Sequence, residues 1–549
     1  MAPSVRAARV LLLALVASAR SYSPGVRPWP GPRISAQRAA APVLIPRGIA
    51  AQTIAPSVCM SEAAPLSFPD ELLLASKGDG GYNKQLIATI GVGLHCVLPM
   101  ATISSVLLDG DIARSLELTS SQVVLSDSLI FGGWVPGAAL SGPISDALGR
   151  KGTSLAFAAL AAAAMAAQTL LQPGADAELQ LCALRALAGF AVGGYLAPAF
   201  SWLVESVESG ERGRTGTAWT LGYVVGVAFV ALLHVALPGG WRAEEAAYSA
   251  CVVAAIGASA LLVTESPRWL FAVGDRAGAL DALRSAARRS GPDAELRLAR
   301  AALDESAPPD DAECLDAFGC ELGDEDAFPA ARPPVQPGEL LATQLGSWRR
   351  LFSADGDDGD GGADGLRATT LSLACLQLAF NVAFYALLYS SASLSDALVL
   401  NFVLLSAADV PGAVVGGWAA DALGAKAATV GSLFLAGASI TALALLKGGV
   451  VDIGGGADAA TAACTAVALV GKTAACGAFL GISLLTAELY PTDLRSAGLG
   501  FGGSVGKVGA AAAAPLVSLL PLPSALAAAG ALALAGSATA ATLQQEEGS

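Results

Sequence analysis

The sequence has few charged residues. Asp, Glu, Lys and Arg occupy 14% of its 549 positions, whereas a soluble protein has them at about 25% of positions. Hydrophobic residues occupy 54% of the chain, and glycine occurs 62 times. This composition argues against a soluble globular protein. It is typical of apolar helices that pack closely inside a membrane.

Histidine is also scarce, and cysteine follows no pattern. The chain has two histidines and nine cysteines, and the cysteine spacing matches neither a disulfide framework nor a zinc site. HExxH and Walker motifs do not occur in the sequence. We therefore expect no metal site and no cofactor, and the sequence argues against an enzyme and against direct use of ATP.

Negative charge is concentrated in one region. The formal net charge is -14, and most of the excess acid lies in 310–328 and 355–365, which we interpret as parts of a solvated linker. Basic residues form no stripe outside the N-terminus. A nucleic-acid partner is therefore not expected.

The N-terminus has the composition of a targeting sequence. Residues 1–19 have a basic start, an apolar core too short to span a bilayer and an A-x-A site, as in a secretory signal peptide. Residues 20–65 contain five arginines and no acid before Glu62. Two interpretations remain open. One is a two-part leader to a plastid envelope, and the other is a secretory-route leader followed by a disordered segment.

Twelve apolar stretches are long enough to cross a bilayer, which takes about 20 residues. We therefore predict an all-α polytopic membrane protein with 12 transmembrane helices in two six-helix bundles, 84–264 and 369–543. An acidic linker, 265–368, separates them, and a tail follows at 544–549. The expected spans are 86–108, 122–141, 153–172, 179–204, 215–237, 245–264, 369–391, 397–419, 427–446, 461–486, 494–519 and 524–543.

Short loops after even-numbered spans carry more Lys and Arg than the opposite loops, which predicts that they lie on the cytoplasmic side or its organellar equivalent. Both termini and the acidic linker are expected on that same side. The basic residues concerned are Arg150, Lys151, Arg212, Arg214, Lys426 and Arg495.

One motif occurs at the same place in each half. GPISDALGRK (142–151) ends the second span and GWAADALGAK (417–426) ends the eighth, so both read G-x-x-x-D-x-x-G-x-K. A second pattern, E-x6-R, follows the fourth and tenth spans. Two motifs in the same order indicate that the halves are structural repeats.

These motifs suit a conformational gate. Gly142 and Gly149 are expected to let the second helix turn and approach a neighbour closely. The charged residues are expected to form a network that holds one arrangement of the bundles and breaks in the other. The alternative, for any single site, is that its charge only caps a helix or sets the membrane orientation and takes no part in movement.

GPISDALGRK resembles the loop 2–3 signature of the major facilitator superfamily, and RALAGFAVGG (185–194) resembles its fourth-helix pattern. Further motifs resemble the branch of organic-ion transporters and synaptic-vesicle-protein-related members, with sugar-porter-like features. These are GGWR (239–242), ESPRWL (265–270), SWRRLF (347–352), DVPG (409–412), GK (471–472) and AELYPTDLRSAGLG (487–500).

The resemblance implies a fold of two bundles that rock about a midplane site. Ala425 replaces an arginine usual in the second motif, and the short loop at about 109–120 favours the vesicle-protein-related or plant-like side of the branch. The gate residues that we carry over are Gly142, Asp146, Gly149, Arg150, Arg185, Glu205, Arg212, Asp421, Gly424, Glu488 and Arg495.

Ionisable residues inside spans mark candidate binding sites, because charge is costly there. Lys507 lies where the family often has a charged residue, basic in many anion carriers, so it favours an anionic substrate. Snorkelling or pairing with an acid is its alternative. For Lys472 the alternative is a structural pair with Asp409. His95 is a candidate for proton coupling.

The seventh span carries a polar stripe at a spacing of four, which places its members on one helix face. The stripe is expected to face a cavity, with hydrogen bonding between helices as the alternative. The predicted substrate-cavity residues are Lys472, Lys507, Gln377, Asn381, Tyr385, Tyr389, Asp409 and Tyr223.

The sequence therefore predicts a transporter that moves a small organic solute, an organic anion, organic ion or sugar-like molecule, by alternating access. The alternative is a non-transporting membrane sensor or scaffold that retains the carrier fold. Expected partners are the solute, the lipid bilayer and a coupling proton or other ion, and the protein is expected to be a monomer.

Overall fold

A computed structural model describes residues 81–102, 104–207, 212–237, 239–304, 348–352, 362–451, 456–490 and 494–543, with single positions at 73, 76, 342 and 346. All regular structure in these ranges is helical. The predicted leader, 1–65, lies outside the described residues. So do 310–328 and most of 355–365.

The first half contains six long helices joined by short connections. An additional helix, Ser105–Leu116, follows the first of them. The six are α1 (Gly81–Thr102), α2 (Ser120–Leu148), α3 (Arg150–Gln168), α4 (Ala177–Glu205), α5 (Arg212–Ala236) and α6 (Trp241–Leu262).

The second half repeats this arrangement. The eighth helix is interrupted at Ala408, which separates Leu398–Ala407 from Asp409–Leu423. The six are α7 (Gly362–Tyr389), α8 (Leu398–Leu423), α9 (Ala425–Lys447), α10 (Gly456–Leu489), α11 (Arg495–Leu519) and α12 (Leu522–Thr542).

Each of the twelve predicted spans falls on one of these helices, although the ends differ. Helix α7 begins at Gly362, inside the predicted linker, and α2 continues to Leu148, through most of the first repeat motif. Within the described residues, ten helices have the length and hydropathy of a membrane span, and α3 and α11 are not among them. Helix α11 is rich in glycine, alanine and serine, which lowers its hydropathy.

The predicted linker begins with folded structure, which the sequence did not indicate. Three helices follow α6, at Pro267–Ala272, Arg276–Ser290 and Pro292–Asp304. Their apolar faces bury a small cluster that includes Leu283 and Leu298. Such a cluster gives this part of the linker its own core.

Close glycine contacts hold the first bundle together. A Cβ atom at Gly189 of α4 would lie 1.7 Å from the carbonyl oxygen of Ile130 in α2, and one at Gly137 of α2 would lie 2.1 Å from that of Phe190. No side chain fits at such an approach. The glycine content thus allows α2 and α4 to pack backbone against backbone.

The two halves meet along α2 and α11, and α5 contacts both parts of α8. The largest apolar core joins them, because it contains Phe131 and Trp134 of α2 together with Tyr385 of α7 and Ala510 of α11. Residues that line the space between the bundles therefore come from both repeats.

Candidate functional site

The first repeat motif forms a charge cluster at the end of α2. Arg150 Nη1 donates to Asp146 Oδ1 at 2.5 Å and to Ser145 Oγ at 3.2 Å, and its Nε lies 3.3 Å from both oxygens of Glu205. The guanidinium thus joins α2, α3 and α4. This arrangement brings together Asp146, Arg150 and Glu205 within the first half, and their action as a conformational gate stays a prediction.

The ESPRWL segment completes the cluster, which the sequence analysis did not predict. Ser266 Oγ donates to Glu205 Oε2 at 2.7 Å, and the Lys151 backbone N–H donates to Glu265 Oε1 at 2.9 Å. The indole N–H of Trp269 donates to the Asp146 carbonyl at 3.0 Å. The start of the linker is therefore fastened to the gate residues. Glu265 and Ser266, which follow α6, were the sequence feature that could have indicated this contact.

Gly149 is required by this geometry. Its φ is +94°, a conformation that favours glycine, and a Cβ there would lie 2.4 Å from Glu265 Oε2. Gly424 has the same role in the chain path of the second half, with φ +86°, but nothing lies within 4 Å of its Cβ position. The two turns match, while their surroundings do not.

Several gate residues do not take part in this cluster. Gly142 lies inside α2 with open space at its Cβ position, so the close helix contact predicted there was wrong. Asp421 and Glu488 are exposed. The side chains of Arg212 and Arg495 lie outside the described residues, so their part in the expected charge network stays a prediction.

Arg185 does not lie in the Arg150 cluster, which corrects its inclusion among the gate residues. It is buried and pairs with Asp127, and its Nη2 donates to Asp109 Oδ1 at 2.9 Å and its Nη1 to Ser126 Oγ at 2.7 Å. At 1.5 Å per residue, its position in α4 is about 30 Å from that of Glu205. The Arg185 cluster therefore lies at the opposite end of the bundle.

Lys507 lies between the two halves. Its Nζ is 4.1 Å from the centroid of the Trp134 ring in α2 and 5.5 Å from that of Tyr385 in α7. Its hydrogen bond is to Asn381 Oδ1 at 3.4 Å, and within the described part of the chain no carboxylate pairs with it. Trp134 was not among the predicted cavity residues, since its role depends on contact across the halves.

The polar stripe of α7 faces α11. Asn381 Nδ2 donates to the Gln377 carbonyl at 2.8 Å, and a Cβ at Gly506 would lie 2.5 Å from that nitrogen. A Cβ at Gly502 would lie 3.4 Å from Gln377 Cγ. These two side chains therefore pack against the glycine face of α11, and Asn381 is joined to α11 by its hydrogen bond with Lys507.

Aromatic side chains line the junction. The Tyr385 ring meets Phe131 of α2 edge-on at 4.6 Å between centroids. Tyr223 and Tyr389 are half-buried and pack against the core that joins the two halves.

Lys472 and Asp409 form a buried pair inside the second half, as their alternative interpretation describes. Lys472 Nζ lies 3.3 Å from Asp409 Oδ1, and the relative exposures of the two side chains are 0% and 3%. The ammonium also lies over the Phe384 ring. The cation of α10 is thus neutralised by the acid of α8 in this arrangement.

His95 lies in an irregular part of α1. Ile87–Gly93 is π-helical and Leu94–Cys96 is a 3-10 turn. His95 Nδ1 lies 2.9 Å from Tyr195 Oη, and its ring centroid is 3.8 Å from that of Trp219. The imidazole therefore has a hydrogen-bonded aromatic environment, and its role in proton coupling stays a prediction.

Within the described residues, no group of His, Cys, Asp and Glu side chains has the arrangement of a metal site.

The family model for sugar and other transporters matches residues 81–316. Solute carrier family 22 member 6 of Bos taurus is 27% identical over 395 residues, which are 72% of this chain and 62% of that protein. Organic cation/carnitine transporter 7 of Arabidopsis thaliana is 26% identical over 484 residues, which are 82% of this chain and 87% of that protein. The chain thus spans about three fifths of the length of the first of these curated relatives.

Solved structures share the fold. The inward-open xylose transporter XylE from E. coli aligns with a TM-score of 0.58 at 16% identity, over 85% of this chain and 97% of that one. Its partially occluded inward-open form aligns with a TM-score of 0.53 at 14% identity, over 87% of this chain and 98% of that one. The major facilitator fold is therefore present here.

Proposed function

Because this chain is a multi-pass membrane protein of the major facilitator superfamily, in its organic-ion and sugar-porter-like branch, we propose that it moves a small organic anion across a membrane by alternating access. The single observation that supports an anionic substrate is the position of Lys507. Its ammonium lies between the halves, near the middle of α11 (Arg495–Leu519), with aromatic rings and an amide oxygen around it.

An ammonium in such a place attracts negative charge. Water is scarce between packed helices, so a cation with no paired carboxylate is expensive unless a ligand neutralises it. Trp134 and Tyr385 also offer flat apolar surface beside the cation. These features favour an organic anion over a cation. The Asn381 amide already bonds the Gln377 backbone carbonyl and Lys507, which makes a sugar-like solute the weaker candidate.

Movement between two states would use the cluster at Arg150. Its bonds join α2, α3 and α4 to the start of the linker. A rigid connection of this kind lets the first bundle rotate as one body. The non-transporting sensor or scaffold is not favoured, because the matching family model is that of sugar and other transporters and the similar proteins are named as transporters.

Uptake into proteoliposomes tests the proposal. Benzoate, tetraethylammonium and xylose represent an anion, a cation and a neutral sugar. Wild-type protein should take up benzoate, and Lys507→Ala should reduce that uptake about tenfold, which corresponds to 1.4 kcal/mol. Lys84→Ala removes an exposed lysine of α1 and is the matched control. Uptake of tetraethylammonium or xylose without benzoate would contradict the anion assignment.

We also propose that the protein is a monomer without enzymatic activity or cofactor, and that a proton is its coupling ion. Light scattering of the detergent-purified protein measures the oligomeric state. The target membrane, a plastid envelope or one reached by the secretory route, is proposed from the leader composition alone. A fluorescent fusion of residues 1–65 found only at the cell surface would contradict the plastid.

A further inference from the structure

The Asp409–Lys472 pair has unusual surroundings. Both side chains are buried, and Lys472 lies near the middle of α10 (Gly456–Leu489). In the described part of the chain, neither carboxylate oxygen of Asp409 accepts a hydrogen bond, and Lys472 Nζ donates none. Their 3.3 Å contact is thus an ion pair without supporting hydrogen bonds.

Such a pair contributes little to stability. Removing two charges from water costs several kcal/mol per ion, and the attraction offsets this only when hydrogen bonds satisfy the remaining polar atoms. Apolar residues of similar size would stabilise the bundle as well or better. The pair therefore has a different use, and charge that can change is the property that apolar residues lack.

The position of Asp409 fits this interpretation. It follows Ala408, a one-residue turn between the two parts of α8. The backbone hydrogen bonds continue across this turn, since the Ala408 N–H donates to the Leu404 carbonyl and the Gly412 N–H donates to the Ala408 carbonyl. Among the described residues, the Asp409 carboxylate is thus left without a hydrogen-bond donor near the middle of the span Leu398–Leu423.

The groups that face the pair are few. Tyr223 of α5, Tyr385 of α7 and Cys476 of α10 interact electrostatically with Asp409. Cys476 Sγ also donates to the Asp409 carbonyl at 3.2 Å. Among the described residues, Asp409 is the acid that these neighbours share, and Lys472 is its cation.

Two neighbouring aromatic residues of α7 connect the pair with Lys507. Lys472 lies over Phe384, and Lys507 lies near the next residue, Tyr385, and the centroids of those two rings are 5.2 Å apart. Two lysines thus approach adjacent aromatic residues of α7, while one carboxylate neutralises one of them. The junction has a net positive charge that depends on the state of Asp409.

We infer that Asp409 is a proton-binding site that controls whether Lys472 is available to the transported anion. This inference rests on the proposed anion transport. A proton from water adds to a carboxylate oxygen of Asp409 and makes it neutral. Lys472 then has no counter-ion, so the anion pairs with it beside Lys507. When the proton leaves, Asp409 pairs with Lys472 again and displaces the anion, so one proton accompanies each monovalent anion.

Infrared difference spectroscopy of the full-length protein in liposomes detects the site without a known substrate. Ordinary carboxyls titrate below about pH 5. Between about pH 5 and 8, the wild type should show a protonated-carboxyl band that Asp409→Asn removes. Asp458→Asn, which changes an exposed acid at the start of α10, the helix of Lys472, should keep it. A band unchanged in Asp409→Asn would overturn the inference.

Benzoate flux separates this inference from the proposed function. A wild type that moves no benzoate at any pH would refute the anion transport itself. If the wild type moves benzoate with protons, Asp409→Asn should exchange benzoate but lose accumulation driven by a pH gradient. Proton-driven accumulation retained in that variant would overturn the role of Asp409 alone.

A second variant covers the case in which Asp409→Asn leaves an unpaired buried lysine and does not fold. Asp409→Asn combined with Lys472→Met removes both charges at nearly constant volume. The double variant should fold and transport benzoate through Lys507 at a rate independent of pH. A pH dependence like that of the wild type would contradict the inference.

Discussion

Lys151 and Lys426, which end the same motif in the two halves, both bind the end of the last helix of their own half. Lys151 Nζ donates to the carbonyls of Ala260 at 2.8 Å and Val263 at 2.7 Å, just at and beyond the end of α6. Lys426 Nζ donates to the carbonyl of Leu543 at 2.5 Å, just beyond α12. Each lysine thereby satisfies carbonyls that a helix end leaves free and complements its dipole. The two halves therefore share this lysine contact with the last helix as well as the glycine turn.

Replacing either lysine should loosen the last helix. Lys151→Met and Lys426→Met each remove a charge-assisted hydrogen bond and should lower the free energy of unfolding by about 1–2 kcal/mol. Thermal unfolding in detergent measures the change. Lys84→Met, at an exposed position, should have no effect. An equal loss in Lys84→Met would show that the fastening contributes nothing specific.

Gly149→Ala and Gly424→Ala form a matched pair. Both positions have positive φ, so alanine should cost about 1–3 kcal/mol of backbone strain at each. At Gly149 the new Cβ also meets Glu265 Oε2 at 2.4 Å, whereas the space at Gly424 is open. We expect Gly149→Ala to be less stable and to lower benzoate flux further. Equal effects at the two sites would mean that the Glu265 contact is unimportant.

The contact between Trp134 and Lys507 should be measurable as a coupling energy. A double-mutant cycle with Trp134→Leu and Lys507→Met should give about 0.5–2 kcal/mol for a cation–π interaction. Trp418, which is 63% exposed on α8, supplies the control cycle and should show no coupling to Lys507. Thermal unfolding reports each variant. If the coupling energy of Trp134 with Lys507 equalled that of Trp418 with Lys507, the cation–π contact would not link the two halves.

Arg185→Met should be the most damaging of these changes. It leaves Asp127 buried without a cation and Asp109 without its 2.9 Å partner. Breaking a buried ion pair on one side costs about 3–5 kcal/mol. Adding Asp127→Asn to the same chain should restore part of the folded yield, measured by size-exclusion chromatography.

Arg114→Met is the control for that experiment. Arg114 also pairs with an acid, Asp111, but its side chain is 80% exposed. Surface ion pairs are worth about 0–1 kcal/mol, so the folded yield should not change. If Arg185→Met were equally harmless, the buried cluster would have no structural role.

Much of the fold was predictable from local pattern. Each of the twelve predicted stretches falls on a helix, and ten of these helices have the hydropathy of a membrane span, since burial in lipid selects apolar residues. The turn at Gly149 and its repeat at Gly424 were visible because a left-handed backbone conformation favours glycine. The helices at 267–304 were missed, because acidic and small residues nearby have the composition of a flexible linker.

The candidate site was only partly predictable. Lys507, Lys472 and Asp409 stood out, because charge inside a span is rare and expensive. The pairing of Lys472 with Asp409 was one of two open interpretations. The two residues are 63 positions apart, as their numbers show, and the sequence does not decide that Lys472 is neutralised while Lys507 is not. Trp134 had no signal, since a tryptophan in a span is as often structural.

The sequence by itself determined the number of spans, the internal repeat and the places where charge enters the bilayer, because hydropathy, glycine turns and motif order are properties of short segments. Only the tertiary structure decided which charges meet. It brings Glu265 to Gly149 and Glu205 to Arg150, and it places Arg185 at the other end of the bundle. Pairing depends on how helices that are far apart in the chain pack side by side. The composition of each segment does not show which other segment lies next to it.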